Sequence, residues 1–585
     1  MWHASGDIGL AHLGAYVNHD ADVPHVRRLQ VRSAKQYTPG GGIGSHAVGI
    51  EEGETSMAVS YRFIAALAAL AACATLAQQS AASEQPRKGG TLVYAVQGDP
   101  PTIDCHGTST FATMHYVSPH YSLLVKLDPS NTSRVLPDLA ASWMESDDKL
   151  TYTFKVRSGV NFHDGTPLTS ADVKASFDRI RQPPQGVTSV RSSVYARIAE
   201  IETPDAQTVA FRLKTASPAF LNSLAVPFNC IYSAARLAQD PTYPTKEVMG
   251  SGPFAFVERV RGSHWIAKRF DGYFDQSRPY LDGFRAVNTS GAALASALQS
   301  GQVMAEFRTL APATRDQLRT ALGDGIQFHT TAYAFLVVVA FNTEKPPFND
   351  ARVRRALSLA IDRWGGAQNL SRVSSLALVG ATQRPGSPWG ATNAELETYP
   401  GFSRDIAASR AEARRLLKEA GQENLSLRLI NRNIADPYTS AGVYLVDQWR
   451  QIGVTAEHSQ VDVNALVNAM RSGAFEAIID FSGEVMDDPS VELARNVSAD
   501  ISSYNPSRFI DRTIDQLYAK IDSTFDVAER KRTVREFERR LLTEAYQVPF
   551  LWLNRTVGMS SKVRGFQMSP SHFINQDLGG LWLAE

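Results

Sequence analysis

The sequence is poor in cysteine, with three cysteines in 585 residues. No two of them have the C-x-x-C spacing that is typical of structural zinc sites, so we expect no such site. Cys73 lies in an apolar N-terminal segment, which leaves Cys105 and Cys230 for the rest of the chain. In an oxidising compartment these two either form a disulfide or stay as buried thiols. The sequence leaves both alternatives open.

The chain also lacks an excess of charge of either sign, since 59 basic residues balance 59 acidic ones. This balance gives no electrostatic reason to expect nucleic acid as a partner. The sequence also contains no basic amphipathic helix of the kind that binds membrane surfaces. We therefore expect a protein that binds neither nucleic acid nor a lipid surface through its charge.

Catalytic motifs are missing as well. We find no G-x-S-x-G elbow, H-E-x-x-H pair, Rossmann glycine fingerprint or kinase motif set. The phosphate-loop pattern is also absent, so we expect no nucleotide-driven activity of the chain itself. His163 and Asp164 resemble half of a catalytic triad, but Gly165 and Pro167 follow them and favour a turn. The sequence predicts a protein that is not an enzyme and needs no cofactor.

Residues 57–82 have the pattern of a secretory signal peptide. An arginine precedes the apolar run 63–77, and small residues at the end of the segment mark a cleavage site. The run is shorter than the ~20 residues of a membrane span. We interpret residues 1–56 as a mis-called or disordered extension and expect the mature protein in the periplasm. Lipid attachment at Cys73, after Leu70-Ala71-Ala72, is the alternative and would tether the protein.

The segment 137–180 reads as a small folding module. Leu150, Tyr152, Phe154 and Val156 alternate with polar residues, as in a strand that is buried on one face. Turn residues follow the strand, and Thr169 or Ser170 then caps a predicted helix. Its apolar stripe is Val173, Phe177 and Ile180.

This module closely resembles the signature region of the extracellular solute-binding proteins that serve peptide and nickel ABC importers, family 5. The matching residues are Pro137, Leu139, Ala140, Ser142, Trp143, Tyr152, Thr153, Phe154, Arg157, Gly159, Val160, Phe162, His163, Asp164, Gly165, Pro167, Ala171, Asp172, Val173 and Ser176. Residues 341–363 give a second match, and the resemblance covers nearly all of residues 88–585. The module is a mark of the fold and carries no catalytic motif.

The resemblance implies an α/β, two-lobed periplasmic-binding-protein fold with an extra subdomain and a ligand cleft between the lobes. We expect lobe I in residues 83–128, 248–340 and 546–585, the extra subdomain in 129–247, and lobe II in 341–545. Hinges are expected near residues 336–342 and around Gly250. The resemblance also implies a monomer that delivers a small-molecule or peptide ligand to ABC transporter permease subunits in the inner membrane.

From residue 407 onward, helices and strands alternate, which predicts a largely parallel sheet covered on both faces. In such sheets ligands bind beyond the carboxyl ends of strands. The segment after the predicted strand 475–481 is therefore the candidate site. The candidate ligand-binding residues are Phe481, Ser482, Glu484, Asp487, Asp488, Trp389 and His106.

The acidic residues of this segment have two interpretations. They either anchor a cation or an amine, or they form a solvated turn in which Asp488, before Pro489, caps a helix. Peptide-binding members of the family often place an aspartate four residues before this proline, where it pairs with the α-amino group of the peptide. This chain has Val485 there. The resemblance implies a peptide or peptide-like solute, but this departure argues against an ordinary peptide. An opine or sugar-type solute, or nickel or a metallophore, is the alternative. A tethered sensor or adaptor is the alternative role.

The segment with Cys105, His106, His115 and His120 suggests a soft-metal site, because imidazole and thiolate bind such metals. The alternative is a loop and helix whose histidines are ordinary pocket or surface groups. Their spacings match no standard metal motif, so we predict no metal ligand in this segment.

Overall fold

The computed structural model describes residues 84–289, 291–483, 485–502 and 505–585. The predicted extension, the predicted signal peptide, Cys73 and the candidate residue Glu484 lie outside the described residues. Within the part of the chain that the structure describes, no helix combines the length and apolar character needed to cross a membrane.

Strands and helices alternate through the described chain. The strands are β1 (Thr91–Val96), β2 (Val125–Asp128), β3 (Asn131–Pro137), β4 (Ala140–Glu145), β5 (Thr151–Val156), β6 (Ile198–Asp205), β7 (Thr208–Leu213), β8 (Phe254–Val260), β9 (His264–Arg269), β10 (Gly283–Asn288), β11 (Ala305–Glu306), β12 (Ile326–Phe341), β13 (Leu376–Leu378), β14 (Ser426–Arg432), β15 (Thr455–Val461), β16 (Ala477–Ser482), β17 (Gln547–Ser560), β18 (Val563–Arg564) and β19 (Trp582–Leu583). The α-helices are α1 (Phe111–Val117), α2 (Ser170–Arg181), α3 (Phe220–Leu224), α4 (Ala234–Gln239), α5 (Gly291–Gln299), α6 (Pro312–Leu322), α7 (Ala351–Leu359), α8 (Arg363–Leu370), α9 (Asn393–Glu397), α10 (Ile406–Glu419), α11 (Ser440–Arg450), α12 (Val463–Ser472), α13 (Pro489–Glu492), α14 (Arg512–Ser523) and α15 (Val527–Glu544).

The largest sheet has the strand order β15-β14-β16-β12-β17-β11-β1-β10-β9-β8, with β13 added to β17. Its long central strands, β12 and β17, pair antiparallel from Ile326 opposite Ser560 to Ala340 opposite Gln547. The first half of β12 lies on the side of β11 and β1, and its second half pairs with β16. The two strands therefore cross from one lobe to the other.

Two apolar cores lie at the two ends of these crossing strands. One core gathers residues 92–307 with the C-terminal segment, and it includes Tyr94, Trp265 and Met559. The other lies within residues 333–553 and includes Val339 and Trp449. These cores define the two lobes. The apolar run predicted as a strand buried on both faces is confirmed as the second half of β12, where residues 332–341 are all buried.

The sheet of the second lobe differs from the predicted parallel arrangement. β14 pairs parallel with both β15 and β16, as expected for alternating strands and helices. β12 and β17, however, are antiparallel to their neighbours, so the sheet is mixed. The difference arises because the crossing strands enter from the other lobe and are not connected through this alternation.

The signature module contains β4, β5 and α2, and the later strands β7 and β6 complete its sheet in the order β4-β5-β7-β6. In β5, Tyr152, Phe154 and Val156 are buried and alternate with less buried residues, which confirms the predicted strand. Thr169 is the N-cap of α2, and its backbone N–H donates to the Asp172 carboxylate at 2.7 Å. The predicted stripe of α2 is buried in the core.

The two cysteines left open by the sequence form a disulfide, Cys105–Cys230, with 6.1 Å between their Cα atoms. Cys105 begins a 3₁₀ turn of the first lobe, and Cys230 lies in the loop after α3, within the range predicted as the extra subdomain. The sulfur of Cys105 is therefore not available as a metal ligand.

Removal of this disulfide should destabilise the protein, because the bond closes a loop across a sequence separation of 125 residues. For a loop of this size the expected loss of unfolding free energy is about 4–5 kcal/mol. Urea unfolding of the oxidised protein and of a Cys105→Ser/Cys230→Ser variant measures the difference. Reductant should lower the stability of the wild type and leave the variant unchanged. Equal stability of the oxidised wild type and the variant would contradict the assignment.

Candidate functional site

A cavity of about 850 Å³ lies between the lobes and the subdomain. Its walls come from the segments 101–111, 186–197 and 217–228, from the middle of β12, from the end of β16 and from residues 485–502. Thr245, Tyr518, Asp522, His572 and Phe573 complete them. Most of the large side chains that line it are apolar or aromatic: Phe111, Val187, Val190, Val194, Phe220, Val226, Phe228, Phe335, Phe481, Val485, Met486, Val491, Val497, Ile501 and Phe573. A cavity of this size fits a small organic solute.

The cavity lies at the carboxyl end of β16, and ligands of α/β sheets typically bind beyond the carboxyl ends of strands. Phe481 is on β16, and its ring stacks on that of Phe335 of β12, with 4.8 Å between centroids and 6° between planes. Gly483 follows β16, and a Cβ atom there would lie 2.2 Å from the Ala334 carbonyl oxygen. Only glycine permits this close approach of the two chains beside the stacked rings.

Among the sequence candidates in the described residues, Phe481 alone is part of the cavity wall. Ser482 is buried and pairs with Leu336 in the sheet. Trp389 is buried elsewhere, with the Arg530 guanidinium 4.9 Å from its ring centroid. The structure therefore does not bring the candidate residues together at one surface.

Asp487 and Asp488, interpreted as a cation anchor or a helix cap, have arginine partners. The Asp487 carboxylate accepts from Arg384 at 2.6 and 2.8 Å and also from the Thr132 hydroxyl. The Asp488 carboxylate accepts from Arg530 at 2.7 and 3.0 Å and from the Ser490 backbone N–H at 2.8 Å, which makes Asp488 the N-cap of α13. For Asp488 the helix-cap interpretation describes what the structure contains.

His106 belongs to a buried network beside the cavity. Its Nδ1 accepts from Arg179 at 3.0 Å, and its Nε2–H donates to the Cys230 carbonyl oxygen at 3.0 Å. Burial lowers the pKa of His106 to about 3, so the ring is neutral at physiological pH. Within the described residues, no group of three or more His, Cys, Asp or Glu side chains is arranged to hold a metal ion.

The charged side chains in the cavity wall come from residues that the sequence did not single out. Arg197 and Asp522 pair at 3.0 Å and join the subdomain range to the second lobe. The Arg191 guanidinium lies 3.7 Å from the Phe228 ring centroid. Arg495 pairs with Asp480 at 2.8 Å. Arg197 and Asp522 are 325 positions apart, so spacing alone carried no signal for this pair.

A buried polar cluster lies behind Phe111 and His572, two residues of the cavity wall. The Phe111 ring contacts the rings of His115 and His572, with centroids 4.4 and 3.9 Å apart. Burial holds the pKa of both histidines well below the usual range. Nearby, burial raises the pKa of the fully buried Glu306 carboxyl to about 7. The cluster therefore contains a carboxyl that changes its charge near neutral pH.

The fold and the cavity together identify the structural class of the protein. Two lobes joined by crossing strands around an interlobe cavity form a periplasmic-binding-protein fold. The chain matches the model of the bacterial extracellular solute-binding proteins, family 5 Middle, over residues 134–503. It belongs to this family of solute-binding proteins, as the signature residues indicated.

Individual relatives match most of the chain. Di/tripeptide-binding protein 1 of Pseudomonas aeruginosa is 25% identical over 516 residues, which cover 82% of this chain and 92% of the relative. Heme-binding protein A of Haemophilus influenzae is 25% identical over 544 residues, with 86% and 96% covered. Among solved structures, the ABC transporter substrate-binding protein CtaP of Listeria monocytogenes has a TM-score of 0.74 and 25% identity, with 85% of this chain and 100% of that chain covered.

Replacement of Asp487 or Asp488 by alanine should destabilise the protein, because each change leaves a buried arginine without its carboxylate. The expected loss is about 3–5 kcal/mol for a buried pair. Urea unfolding measures it, with Asp500→Ala as the control, because the Asp500–Arg512 pair is exposed and should contribute little to stability. Unchanged stability together with weaker binding of a cationic ligand would instead support the anchor interpretation.

The raised pKa of Glu306 should make stability fall with increasing pH. The ordinary pKa of glutamate is about 4.3, so between that value and about 7 the folded state holds a proton that the unfolded state releases. The proton on Glu306 thereby contributes on the order of 3 kcal/mol to the free energy of unfolding. This contribution is fully present below pH ~4.3 and is lost as the pH rises through about 7.

Thermal or urea unfolding of the wild type and of Glu306→Gln between pH 4 and 8 tests this prediction. The variant should lack the part of the fall in stability with pH that Glu306 causes. Glu457→Gln is the control, because the Glu457 side chain is exposed. A wild type and a Glu306→Gln variant with parallel pH profiles would contradict the raised pKa.

Proposed function

We propose that this chain is the receptor of an ABC importer. It captures a small solute, a peptide or a peptide-like molecule, in the interlobe cavity and delivers it to permease subunits in the inner membrane. The observation that carries the proposal is the cavity of about 850 Å³ between two lobes that share the crossing strands. Membership of the solute-binding family supports it. The relatives named for di/tripeptide and heme binding support an organic solute.

We propose the domain limits expected from the sequence: lobe I in 83–128, 248–340 and 546–585, the subdomain in 129–247, and lobe II in 341–545. The two apolar cores support these limits, since the first lies largely outside 341–545 and the second largely inside it. Val485 and Met486 are exceptions, because this loop packs on the first core. We also propose a periplasmic, monomeric protein.

Ligand capture proceeds by closure of the lobes in this proposal. A solute that contacts both lobes only in the closed form favours that form by its extra contacts. Phe481 is the ligand contact that we carry over from the sequence candidates. Polar contacts between the subdomain range and the second lobe support closure: Arg197 with Asp522 at 3.0 Å, and the Ser217 hydroxyl with Asp522 at 3.1 Å.

Native mass spectrometry of the mature protein, purified from its exporting host, tests the proposal. We expect one small organic molecule per chain, released by denaturation, and a smaller radius of gyration in solution scattering with the molecule bound than after its removal. Asp522→Asn should increase the radius of gyration of the ligand-free protein, because it removes the ion pair with Arg197 that joins the subdomain to the second lobe.

Asp500→Asn is the matched control, since the Asp500–Arg512 pair lies within residues 500–512 and does not join the subdomain to the second lobe. The absence of any bound organic molecule, combined with no change of dimensions on addition of peptides, would contradict the proposed function.

A further inference from the structure

We infer that the cavity takes an apolar solute that is held by aromatic and aliphatic surfaces and needs no ammonium group paired with a carboxylate of the chain. The inference rests on the proposed function and specifies the ligand class of the same cavity. It applies equally to a peptide with a blocked amino terminus and to an apolar molecule that is not a peptide.

The first observation is the aromatic character of two parts of the wall. Phe335 and Phe481 stack in parallel where β12 and β16 meet the cavity. A second group comes from the first lobe and the subdomain range, in which Phe573 lies 4.8 Å from Phe228 and 6.1 Å from Phe111, centroid to centroid. Both groups favour planar or branched apolar parts of a ligand.

The second observation concerns the loop after β16, which carries the acidic residues at the strand end. Val485 and Met486 of this loop are part of the cavity wall and are 6% and 4% exposed. The acidic residues Asp487 and Asp488, which follow, are not in the wall and pair with Arg384 and Arg530. The loop therefore contributes apolar side chains to the cavity and directs these two carboxylates away from it.

The third observation concerns the carboxylates in the wall. Among the described residues these are Asp104 and Asp522. Asp104 accepts from Arg179 at 2.6 Å and from the Tyr232 hydroxyl at 3.0 Å, and Asp522 accepts from Arg197 at 3.0 Å. An ammonium group of a ligand would have to displace an arginine from either one, which is costly where the pair is buried.

The polar groups of the wall tyrosines are also engaged. The Tyr195 hydroxyl donates to the Ser223 carbonyl oxygen at 2.6 Å, and the Tyr518 hydroxyl donates to that of Ser490 at 2.8 Å. Three arginines but only two aspartates line the cavity in the described residues, so the lining is not attractive to a cation. The available surface is therefore mainly that of rings and aliphatic side chains.

Isothermal titration of the ligand-depleted protein with the dipeptide Phe-Leu and with N-acetyl-Phe-Leu tests the inference on the wild type. We expect the two Kd values to agree within about threefold and Lys-Gly to bind at least about tenfold more weakly. Phe481→Ala should weaken both apolar probes by at least about tenfold. Phe525→Ala is the matched control, because Phe525 is 37% exposed and is not in the cavity wall, and it should leave both affinities unchanged.

The outcomes separate the inference from the proposed function. Binding of Phe-Leu that is lost by more than about 30-fold on acetylation would overturn the inference and leave the receptor function standing. Tighter binding of Lys-Gly, or a polar molecule such as a sugar released from the native protein, would overturn it in the same way. A protein that binds none of the probes and releases no molecule would overturn the proposed function, and the inference with it.

Discussion

The paired crossing strands are the constraint on which the rest of the structure depends. β12 and β17 hold hydrogen bonds at both ends, but their register shifts between Ala332 and Leu336. In this interval the Ala334 N–H donates to the Pro570 carbonyl oxygen of the C-terminal segment. The ladder is thus interrupted where the chain passes between the lobes, and Phe335 of this interval faces Phe481. The connection between the lobes and the aromatic wall of the cavity are the same piece of chain.

Much of the fold was predictable because its signals are local. The period-two alternation of Thr151–Val156 follows from residues a few positions apart. So do the N-caps, Thr169 for α2 and Asp350 for α7. The length of β12 was not predictable in the same way. Its second half is continuously apolar, but residues 327–331 of its first half are mostly polar and only partly buried or exposed. The first half of β12 becomes a strand because β17, more than 200 residues away in the sequence, pairs with it.

The site was only partly predictable, for a related reason. Phe481 was predictable because the end of a strand can be located from the order of elements along the chain. The role of an acidic residue depends instead on its partner in space. Asp487 and Arg384 are 103 positions apart, and Asp488 and Arg530 are 42 apart. A sequence shows the carboxylates without showing which arginine reaches them. Phe335, a main wall residue, lies in a run of buried residues and carries no local mark that separates it from the core.

The arginines near the cavity also explain how an apolar wall is kept in place. Asp480 holds Arg432 at 3.0 Å and Arg495 at 2.8 Å, and all three side chains are buried. Arg495 in turn donates to the Phe481 carbonyl oxygen, and the Arg432 guanidinium lies 5.5 Å from the Phe481 ring centroid. A charged network therefore supports the ring from behind and limits its motion before a ligand arrives. Such preorganisation lowers the entropic cost of binding, so an apolar wall of fixed shape can discriminate between solutes even though the charges nearby pair with one another.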